Sequence, residues 1–288
     1  MTHPKVYIQG HEGSFHDAVA KRYFGSEIEV VPCDTFGELS HRLSEGSPQD
    51  SAVMAIENSI AGTILANYKL LREHHLSING EVYKRIQLNL ITLPGQTIDQ
   101  ISEVRSHQMA LKQCSHYLRQ YPHIRLVESE DTALSAKIIA DRQESGVACI
   151  ASTEAADLYN LDILAESVED IDLNYTRFFI LNQTPQGAVD YDKASIYIRV
   201  SHQPGSLLAV LDTLADLQIN VSKLQSYPVL GQFNEYYFHI DLEFESEIQY
   251  TEAIDRLQGQ TLELNQLGTY RRADVSAILR NELNSFML

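Results

Sequence analysis

The sequence predicts an α/β protein in which a two-lobed domain is followed by a smaller ferredoxin-like module. Strand and helix patterns alternate repeatedly over residues 1–183, which indicates one or two mostly parallel sheets. After Pro185-Gln186-Gly187 the order becomes strand, helix, strand, strand, helix, strand, which is the ferredoxin-like order. The length of 288 residues is sufficient for both parts.

Composition and charge narrow the classes of function. The net charge of −17 argues against nucleic acids and anionic membranes as partners, because both favour a basic surface. An anionic substrate would therefore need Arg, Lys or helix N-termini at its own site. No apolar stretch approaches the ~18 residues of a membrane span, and the N-terminus lacks the apolar core of a signal peptide.

The three cysteines, Cys33, Cys114 and Cys149, lie far apart and within apolar patterns. That distribution is typical of reduced, buried thiols, and it predicts a cytoplasmic protein. The histidines are scattered, and neither they nor the cysteines have the spacing of metal ligands. We expect no metal and no organic cofactor.

Each of the first three predicted strands leads into a helix. The strands cover Lys5–Gly10, Ile28–Cys33 and Ser51–Ile56, and the helices follow over 15–24, 35–43 and 65–76. Ser14 is the candidate N-cap of the first helix, where backbone N–H groups would point towards an anion. The third strand is apolar throughout, as expected of a buried parallel strand.

Three polar residues, Glu57, Asn58 and Ser59, follow the third strand directly. Ligand sites in open α/β sheets lie at the carboxyl ends of strands, so these side chains are candidate site residues. The alternative is that Asn58 and Ser59 only cap the next helix.

A long apolar strand over Ile86–Leu93 is predicted to carry the chain into a second lobe at about 81–163. Further strands are predicted at 103–107, 124–127, 146–151 and 161–164, with helices at 109–118, 132–139 and 152–159. Ser106 and Gln113 are seven residues apart, or two helical turns, which places a hydroxyl and an amide on roughly the same side near a helix start. A core or a surface position fits Gln113 equally well.

The pentapeptide Asn174-Tyr175-Thr176-Arg177-Phe178 precedes an apolar run that extends to Leu181. This closing strand is predicted to return to the first lobe, which then comprises about 1–80 plus 164–183. Two lobes joined by crossing segments form a cleft that suits a small ligand, and we expect Thr176 to lie on its floor. The alternative is that the pentapeptide is only the polar start of a buried strand.

The smaller module is predicted to span 192–272. Its strands are predicted at 194–200, 220–227, 236–244 and 262–270, with helices at 206–217 and 248–257. Such a module leaves a sheet edge or face available for pairing, so we expect a homodimer or homotetramer formed through it. The tail, 273–288, is expected to form a short helix over 274–286.

Several short motifs occur together in one order. They are Gly10-x-x-Gly13-Ser14-Phe15-His16, Ile56-Glu57-Asn58-Ser59-x-x-Gly62, Ser106-His107 with Gln113-Cys114, Asp131-Thr132-Ala133, Ile150-Ala151-Ser152 and the pentapeptide at 174–178. With these motifs the chain resembles the prephenate dehydratases over nearly its full length. The resemblance implies a catalytic domain of two periplasmic-binding-protein-like lobes at 1–183, followed by a C-terminal ACT regulatory domain.

The resemblance also implies an activity and the residues that perform it. The family converts prephenate to phenylpyruvate, with loss of water and carbon dioxide, in L-phenylalanine biosynthesis. Thr176 matches the family's essential threonine, which protonates or hydrogen-bonds the departing hydroxyl. The residues that match orienting or supporting positions are Asn58, Ser106 and Gln113. The residues expected to bind or flank the substrate are Ser14, Glu57, Ser59, Arg177 and Phe178, with Phe178 packing and Arg177 either contacting substrate or forming a structural ion pair.

The sequence departs from the family pattern at two places. Gln108-Met109 follow Ser106-His107, where the family has Pro-Gln. The resemblance places an amino-acid effector, L-phenylalanine, in the ACT domain, at two segments. They are Gly205-Ser206-Leu207-Leu208, for the family's Gly-Ala-Leu, and Gln225-Ser226-Tyr227-Pro228, for Glu-Ser-Arg-Pro. Gln and Tyr in the second segment remove two charges that would hold the ligand.

Two other functions remain open on the sequence. One is arogenate dehydratase, which performs the same elimination on the amino analogue of prephenate. The other is a two-lobed small-molecule sensor without catalysis. The Thr176 motif in register with Asn58, Ser106 and Gln113 favours the enzyme.

Overall fold

The computed structural model describes residues 4–186 and 190–276. Its first part begins with strands and helices that alternate as predicted. The elements are β1 (Lys5–Gln9), α1 (Phe15–Phe24), β2 (Glu29–Cys33), α2 (Phe36–Glu45), β3 (Ser51–Asn58), β4 (Gly62–Thr63), α3 (Leu65–Glu73) and β5 (Ser77–Arg85). Ser14 is the N-cap of α1, as predicted, and its Oγ accepts a hydrogen bond from Asp17 N at 3.3 Å.

The second lobe follows after Arg85. Its elements are β6 (Asn89–Thr92), β7 (Glu103–His107), α4 (Gln108–Gln113), α5 (Ser115–Leu118), β8 (Arg125–Ser129), α6 (Thr132–Arg142), β9 (Val147–Ala151), α7 (Thr153–Tyr159) and β10 (Asp162–Ala165). The strands form the second sheet in the order β10-β6-β9-β7-β8. Asp131 and Ser152 are the N-caps of α6 and α7, and both side chains accept backbone hydrogen bonds there.

The chain then returns to the first lobe through β11 (Tyr175–Asn182), as predicted. β11 lies between β3 and β5 in the first sheet, whose order is β2-β1-β3-β11-β5, with β4 added on β3. Along the main path of each sheet a single strand opposes the rest: β11 runs antiparallel to β3 and β5, and β6 runs antiparallel to β9 and β10. The other four strands of each path share one direction, so the sheets are mostly parallel, as predicted.

Two strands, β4 and β5, were not predicted, and the strand predicted over Ile86–Leu93 begins only at Asn89, as β6. β5 ends at Arg85 and belongs wholly to the first sheet. The chain therefore leaves the first lobe after Arg85, and not near residue 81. β10 likewise extends to Ala165 in the second sheet, so the return begins after the predicted residue 164. Pairing with β11 holds β5 in the first sheet, and pairing with β6 holds β10 in the second.

The C-terminal part has the predicted order of elements. It consists of β12 (Lys193–Arg199), α8 (Ser206–Asp216), β13 (Asn220–Pro228), β14 (Tyr236–Glu243), α9 (Glu247–Gln258) and β15 (Glu263–Tyr270). The third sheet is antiparallel with the order β13-β14-β12-β15. Both helices pack on one face of this sheet around a core that includes Ile196, Val210 and Ile254. The predicted tail helix over 274–286 falls mostly outside the described residues.

The other face of the third sheet packs against the first lobe. Tyr227 and Tyr270 of the third sheet share one buried core with Tyr68 and Phe179 of the first lobe. The backbones approach closely, because a Cβ at Gly268 would lie 1.9 Å from Ile78 O. Among the described residues, no helix is both long and apolar enough to cross a membrane.

Candidate active site

A cavity of about 260 Å³ lies between the first and second lobes, at the carboxyl ends of β1 and β3. Its lining includes five of the candidate residues, which are Ser14, Asn58, Gln113, Thr176 and Phe178. A larger open depression, of about 1310 Å³, is lined by residues such as Lys5, Asp50 and Asn182 and contains none of the candidates. The first cavity is therefore the candidate active site.

Asn58 and Thr176 face each other across β3 and β11, where they are a register pair. The Asn58 Oδ1 atom accepts hydrogen bonds from the backbone N–H groups of Ile60 at 3.0 Å and Ala61 at 2.8 Å. These two donors fix the orientation of the amide, so its nitrogen faces Thr176 and donates to Oγ1 at 2.9 Å. Because Oγ1 accepts this bond, the Thr176 hydroxyl proton is left to donate elsewhere.

The same amide continues into a chain of side chains that crosses the cleft. Asn58 Nδ2 also donates to Asn174 Oδ1 at 2.8 Å, and Asn174 Nδ2 donates to Gln113 Oε1 at 3.1 Å. Asn174 is fully buried, with an exposed fraction of 0%. The bonds orient each amide in turn, so Gln113 presents its NH₂ group as a donor. The cavity thus holds two oriented neutral donors, the Thr176 hydroxyl and the Gln113 amide.

Among the described residues, the lining contains no Lys or Arg, but it contains Glu130 and Asp131. Burial raises the pKa of Asp131 above its ordinary value, which favours its uncharged form. Burial also lowers the pKa of His16 to about 3, so this lining residue is neutral, and its Nε2 accepts from Ala55 N at 3.2 Å. The N-terminus of α1 at Ser14 supplies the positive end of a ten-residue helix to the cavity.

Four candidates lie outside the cavity lining, and Ser106 and Ser59 are two of them. Ser106 belongs to β7 and not to a helix, so the two-turn spacing that placed it beside Gln113 does not apply. Its hydroxyl is fully buried and donates to Ile150 O at 2.7 Å. Ser59 accepts a hydrogen bond from Tyr175 N and donates to Leu173 O, both at 2.9 Å. It therefore braces the start of β11. The helix-cap interpretation of Asn58 and Ser59 is wrong, because the N-cap of α3 is Ile64.

Glu57 and Arg177 form the neighbouring register pair, and they face away from the cavity. The register between β3 and β11 skips Ile56, which is a β-bulge. As a result Ile56 and Glu57 both lie towards the third sheet, while Asn58 faces the cavity. Glu57 therefore does not flank the cavity, contrary to the expectation from the sequence.

Arg177 forms a structural ion pair, which decides between the two interpretations of the sequence. Its guanidinium is 3% exposed and contacts Glu81 Oε2 at 2.6 Å and Asp241 Oδ2 at 2.5 Å. Burial would lower the pKa of Arg177, but the charges of its neighbours, with Asp241 the strongest and Glu81 among them, together outweigh burial and the pKa is raised. Phe178 packs as predicted, with its ring edge-on to His16 at a centroid distance of 5.0 Å.

The two segments predicted to bind the effector, 205–208 and 225–228, do not line one common pocket among the described residues. Ser206 and Leu207 line a surface pocket of about 350 Å³ with Tyr236 and Phe238. Gly205, at φ +87°, is the N-cap of α8, and Leu208 is 60% exposed. The residues of the second segment, Gln225, Ser226, Tyr227 and Pro228, lie on β13 and do not line this pocket.

Tyr227 faces the first lobe, where its ring centroid is 4.7 Å from the Arg72 guanidinium carbon. Gln225 bonds only locally, since its Nε2 donates to Ser226 O at 3.0 Å. The second segment therefore includes a residue that joins the third sheet to α3.

Sequence reasoning treated Asn174 only as a positioning or capping residue and Asp131, with Thr132, only as a helix cap, and it gave His16 no role. His16 and Asp131 belong to the motifs Gly13-Ser14-Phe15-His16 and Asp131-Thr132-Ala133. Both motifs follow the end of a predicted strand, and this position could have indicated that the two residues lie at the site. The link from Asn174 to Gln113 spans 61 residues and had no local signal.

The fold and the site define a two-lobed α/β protein whose cleft presents neutral hydrogen-bond donors. The sequence model of the prephenate dehydratase family matches residues 6–186. The chain belongs to the prephenate dehydratase family.

Two relatives and one solved structure agree with this assignment by name, and a further similar structure has a different description. A bifunctional chorismate mutase/prephenate dehydratase of Aquifex aeolicus is 31% identical, over 93% of this chain and 74% of the relative. Arogenate dehydratase/prephenate dehydratase 1 of Arabidopsis thaliana is 34% identical, over 92% and 71%. A prephenate dehydratase of Arthrobacter aurescens in complex with L-Phe is similar in structure, with a TM-score of 0.82, 25% identity, and coverage of 98% and 99%. GqqA, described as a novel type of quorum quenching acylase, has a TM-score of 0.84, 28% identity, and coverage of 94% and 99%.

Proposed function

We propose that this protein catalyses the decarboxylating dehydration of prephenate to phenylpyruvate, with Thr176 as the proton donor. The observation that carries the proposal is the hydrogen bond from Asn58 Nδ2 to Thr176 Oγ1, which leaves the hydroxyl proton available at the cavity. A hydroxyl held in this orientation donates its proton without first reorganising. The hydrogen bond that it donates is stronger in a cleft shielded from water, because the effective dielectric constant is lower there.

The reaction balances with one proton. The bond between the ring and its carboxylate breaks and releases carbon dioxide, and the electron pair moves through the ring to form the aromatic system. The 4-hydroxyl leaves at the opposite ring carbon with the proton from Thr176, as water. Solvent then returns a proton to the threonine oxygen. General acid assistance of this kind contributes about 10²–10⁴-fold to a rate.

The other lining groups bind and orient. The Gln113 amide offers a neutral donor to a substrate carboxylate or keto oxygen, and the α1 N-terminus offers N–H groups to an anion. Aromatisation of the ring supplies most of the driving force, so geometry and one donor suffice.

The test is direct. Purified protein is incubated with prephenate, and phenylpyruvate is measured by its absorbance in alkali. Turnover that is lost in Thr176→Ala supports the proposal, whereas equal turnover in both proteins refutes the assignment of Thr176. No turnover of prephenate or of arogenate by the intact protein would favour the two-lobed sensor instead.

Arogenate is the second candidate substrate, and one observation favours it. The part of the lining that the structure describes holds two acidic residues, Glu130 and Asp131, and no Lys or Arg, which suits the ammonium group of arogenate. The Arabidopsis relative also has arogenate in its name. Competition of the two substrates, with kcat/KM compared at the same pH, decides between them.

We also propose that the C-terminal part, 192–272, is an ACT domain that binds L-phenylalanine as an inhibitor, while 1–183 is the catalytic domain and 273–288 a tail. The pocket at Ser206 and Leu207 and the L-Phe complex of the Arthrobacter aurescens structure support this proposal. Millimolar L-phenylalanine should raise the thermal midpoint of the full chain and slow turnover. If neither changes, the effector assignment is wrong.

We propose, in addition, that the protein forms a homodimer or homotetramer through the third sheet. β13 is an edge strand, and the connection to β14 exposes Leu230 by 76% and Phe233 by 97%. Light scattering on the full chain measures the assembly. The buried thiols of Cys33, Cys114 and Cys149 support a reducing, cytoplasmic location, which fractionation of the source cells would test.

A further inference from the structure

The catalytic pair Asn58–Thr176 has a neighbouring pair on the opposite face of the same two strands. Glu57 lies opposite Arg177 in the register of β3 and β11, one residue from Asn58 and Thr176 respectively. Side chains of adjacent strand residues point to opposite faces, and the bulge at Ile56 preserves this arrangement at Glu57. Each member of the catalytic pair is thus directly bonded along the backbone to a residue that faces the third sheet.

Both of these residues are held by ion pairs from the third sheet. Lys223 Nζ on β13 lies 2.7 Å from Glu57 Oε1, and it also donates to Thr63 Oγ1 at 2.9 Å. Asp241 Oδ2 on β14 lies 2.5 Å from an Arg177 guanidinium nitrogen. We call Lys223–Glu57 and Asp241–Arg177 the two cross-sheet ion pairs.

Burial makes these contacts sensitive to displacement. The side chains of Asp241 and Arg177 are 0% and 3% exposed, and the side chain of Lys223 is 9% exposed. Asp241 is further fixed by Ser195 Oγ, which donates to its other oxygen at 2.6 Å. A buried charge without its partner is strongly unfavourable, so Arg177 and Asp241 must keep their contact when either strand shifts.

We propose that Lys223 and Asp241 are positioning residues for catalysis, and that they set the hydrogen bond between Asn58 and Thr176 through the two cross-sheet ion pairs. This inference rests on the proposed function. A local displacement of β13 and β14, which does not require β15 to slide at Gly268, moves Glu57 and Arg177, and through one backbone step each it moves Asn58 and Thr176. The C-terminal part therefore acts on the proton donor itself, and not only on the opening of the cleft.

The plain alternative is that these pairs only hold the third sheet to the first lobe. Arg72 provides a matched control for that role, because it joins the same two surfaces through the ring of Tyr237, at 4.1 Å from its centroid. Arg72 lies on α3 and not on either catalytic strand. The variant Arg72→Met therefore tests only whether a weaker contact between the third sheet and the first lobe lowers the activity.

The decisive variant is Lys223→Met, because Glu57 is 37% exposed and can be solvated when its partner is lost. Asp241→Asn would leave Arg177 buried beside a single carboxylate, and loss of folding would be its first effect. The set for measurement is Lys223→Met, Lys223→Arg, the charge swap Glu57→Lys with Lys223→Glu, and Arg72→Met. Each is assayed for kcat and KM with prephenate or arogenate and for its thermal midpoint. Lys223→Met is also combined with Thr176→Ala.

We expect Lys223→Met to lower kcat about tenfold to a hundredfold, the scale of a small misplacement of a catalytic group, with KM within about twofold. Lys223→Arg and the charge swap should recover most of that loss. In the Thr176→Ala background the substitution should have no further effect, since the group that it positions is absent.

Two outcomes overturn the inference. One is a Lys223→Met enzyme with wild-type kcat, and the other is an equal loss in Lys223→Met and Arg72→Met. Both are distinct from failure of the proposed function, in which the intact protein itself turns over neither substrate.

Discussion

Asn174 Nδ2 donates to Gln113 Oε1 at 3.1 Å, and this bond joins the start of β11 in the first lobe to the end of α4 in the second. The bond is possible only when the two lobes are close together. It also sets the direction of the Gln113 amide, because an acceptor oxygen towards Asn174 leaves the nitrogen for a ligand. Cleft geometry and donor orientation therefore depend on one contact.

The first prediction concerns the hydroxyl of residue 176. Thr176→Ala should lower kcat by about 10²–10⁴-fold with little change in KM, because it removes the donor and leaves the packing of β11 intact. Thr176→Ser keeps a hydroxyl within reach of Asn58 and should retain most of the activity. Steady-state kinetics with thermal denaturation of each variant provide the measurement, and near wild-type turnover in Thr176→Ala would contradict it.

The second prediction tests the direction of the bond between Asn58 and Thr176. In Asn58→Asp the atom that faces Thr176 becomes an acceptor, so the threonine hydroxyl turns to donate to it. Its proton is then withheld from the substrate, and kcat should fall by about 10² or more. Asn79→Asp is the matched control, since Asn79 Nδ2 donates to Asn182 in the same lobe but away from the cavity. Comparable turnover in the two variants would show that the direction of the Asn58 bond is irrelevant.

The third prediction concerns Gln113. Gln113→Glu retains the oxygen that accepts from Asn174, but it replaces the donor and adds a carboxyl to the cavity. KM for a dianionic substrate should rise about tenfold or more, because a hydrogen bond to a charged group is lost. Gln108→Glu makes the same charge change on the same helix outside the cavity lining and should leave KM unchanged. An unchanged KM in Gln113→Glu would remove Gln113 from substrate binding.

The fourth prediction concerns stability in mild acid. Burial lowers the pKa of His16 to about 3, and the unfolded chain has the ordinary value of about 6.5. Between these values the unfolded state binds one more proton at this residue, so the free energy of unfolding falls as the pH falls. From about pH 7 to about pH 5.5 the loss from His16 should be about 1 kcal/mol.

Urea unfolding at both pH values measures this effect. His16→Gln keeps an acceptor for Ala55 N and should remove about that much of the pH dependence. His202→Gln, at an exposed position, is the control and should not change it. The pKa of His239 is also lowered by burial, so part of the pH dependence should persist in His16→Gln. A pH dependence identical to that of the intact protein would contradict the prediction.

The sequence predicted those features that depend on local pattern. Thr176 lies on the cleft floor as expected, because a polar start on an apolar strand that returns to the sheet can only present its side chains at the sheet's edge. Ser14 caps α1 as expected, because capping depends on the adjacent residues alone. Because adjacent side chains of a strand point to opposite faces of the sheet, assigning β11 as a strand also places Thr176 and Arg177 on opposite faces.

The features that it missed depend on tertiary contacts. β5 contains Asn79-Gly80 and Glu81, which are typical of a turn, but Glu81 lies in the sheet because it pairs with Arg177. Arg177 could not be assigned, since its second partner Asp241 lies 64 residues away. The bulge that separates Glu57 from Asn58 has no counterpart in the hydrophobic pattern.

The close approach of Gly268 to Ile78 limits how the molecule can move. Backbone lies against backbone there, so the first lobe and the third sheet cannot slide past each other without a clash. We therefore expect the cleft to open by rotation of the second lobe, hinged at the crossing segments 86–88 and 166–174. Substrate would then enter by the motion of one lobe against a body that contains both Thr176 and the proposed effector pocket at Ser206 and Leu207.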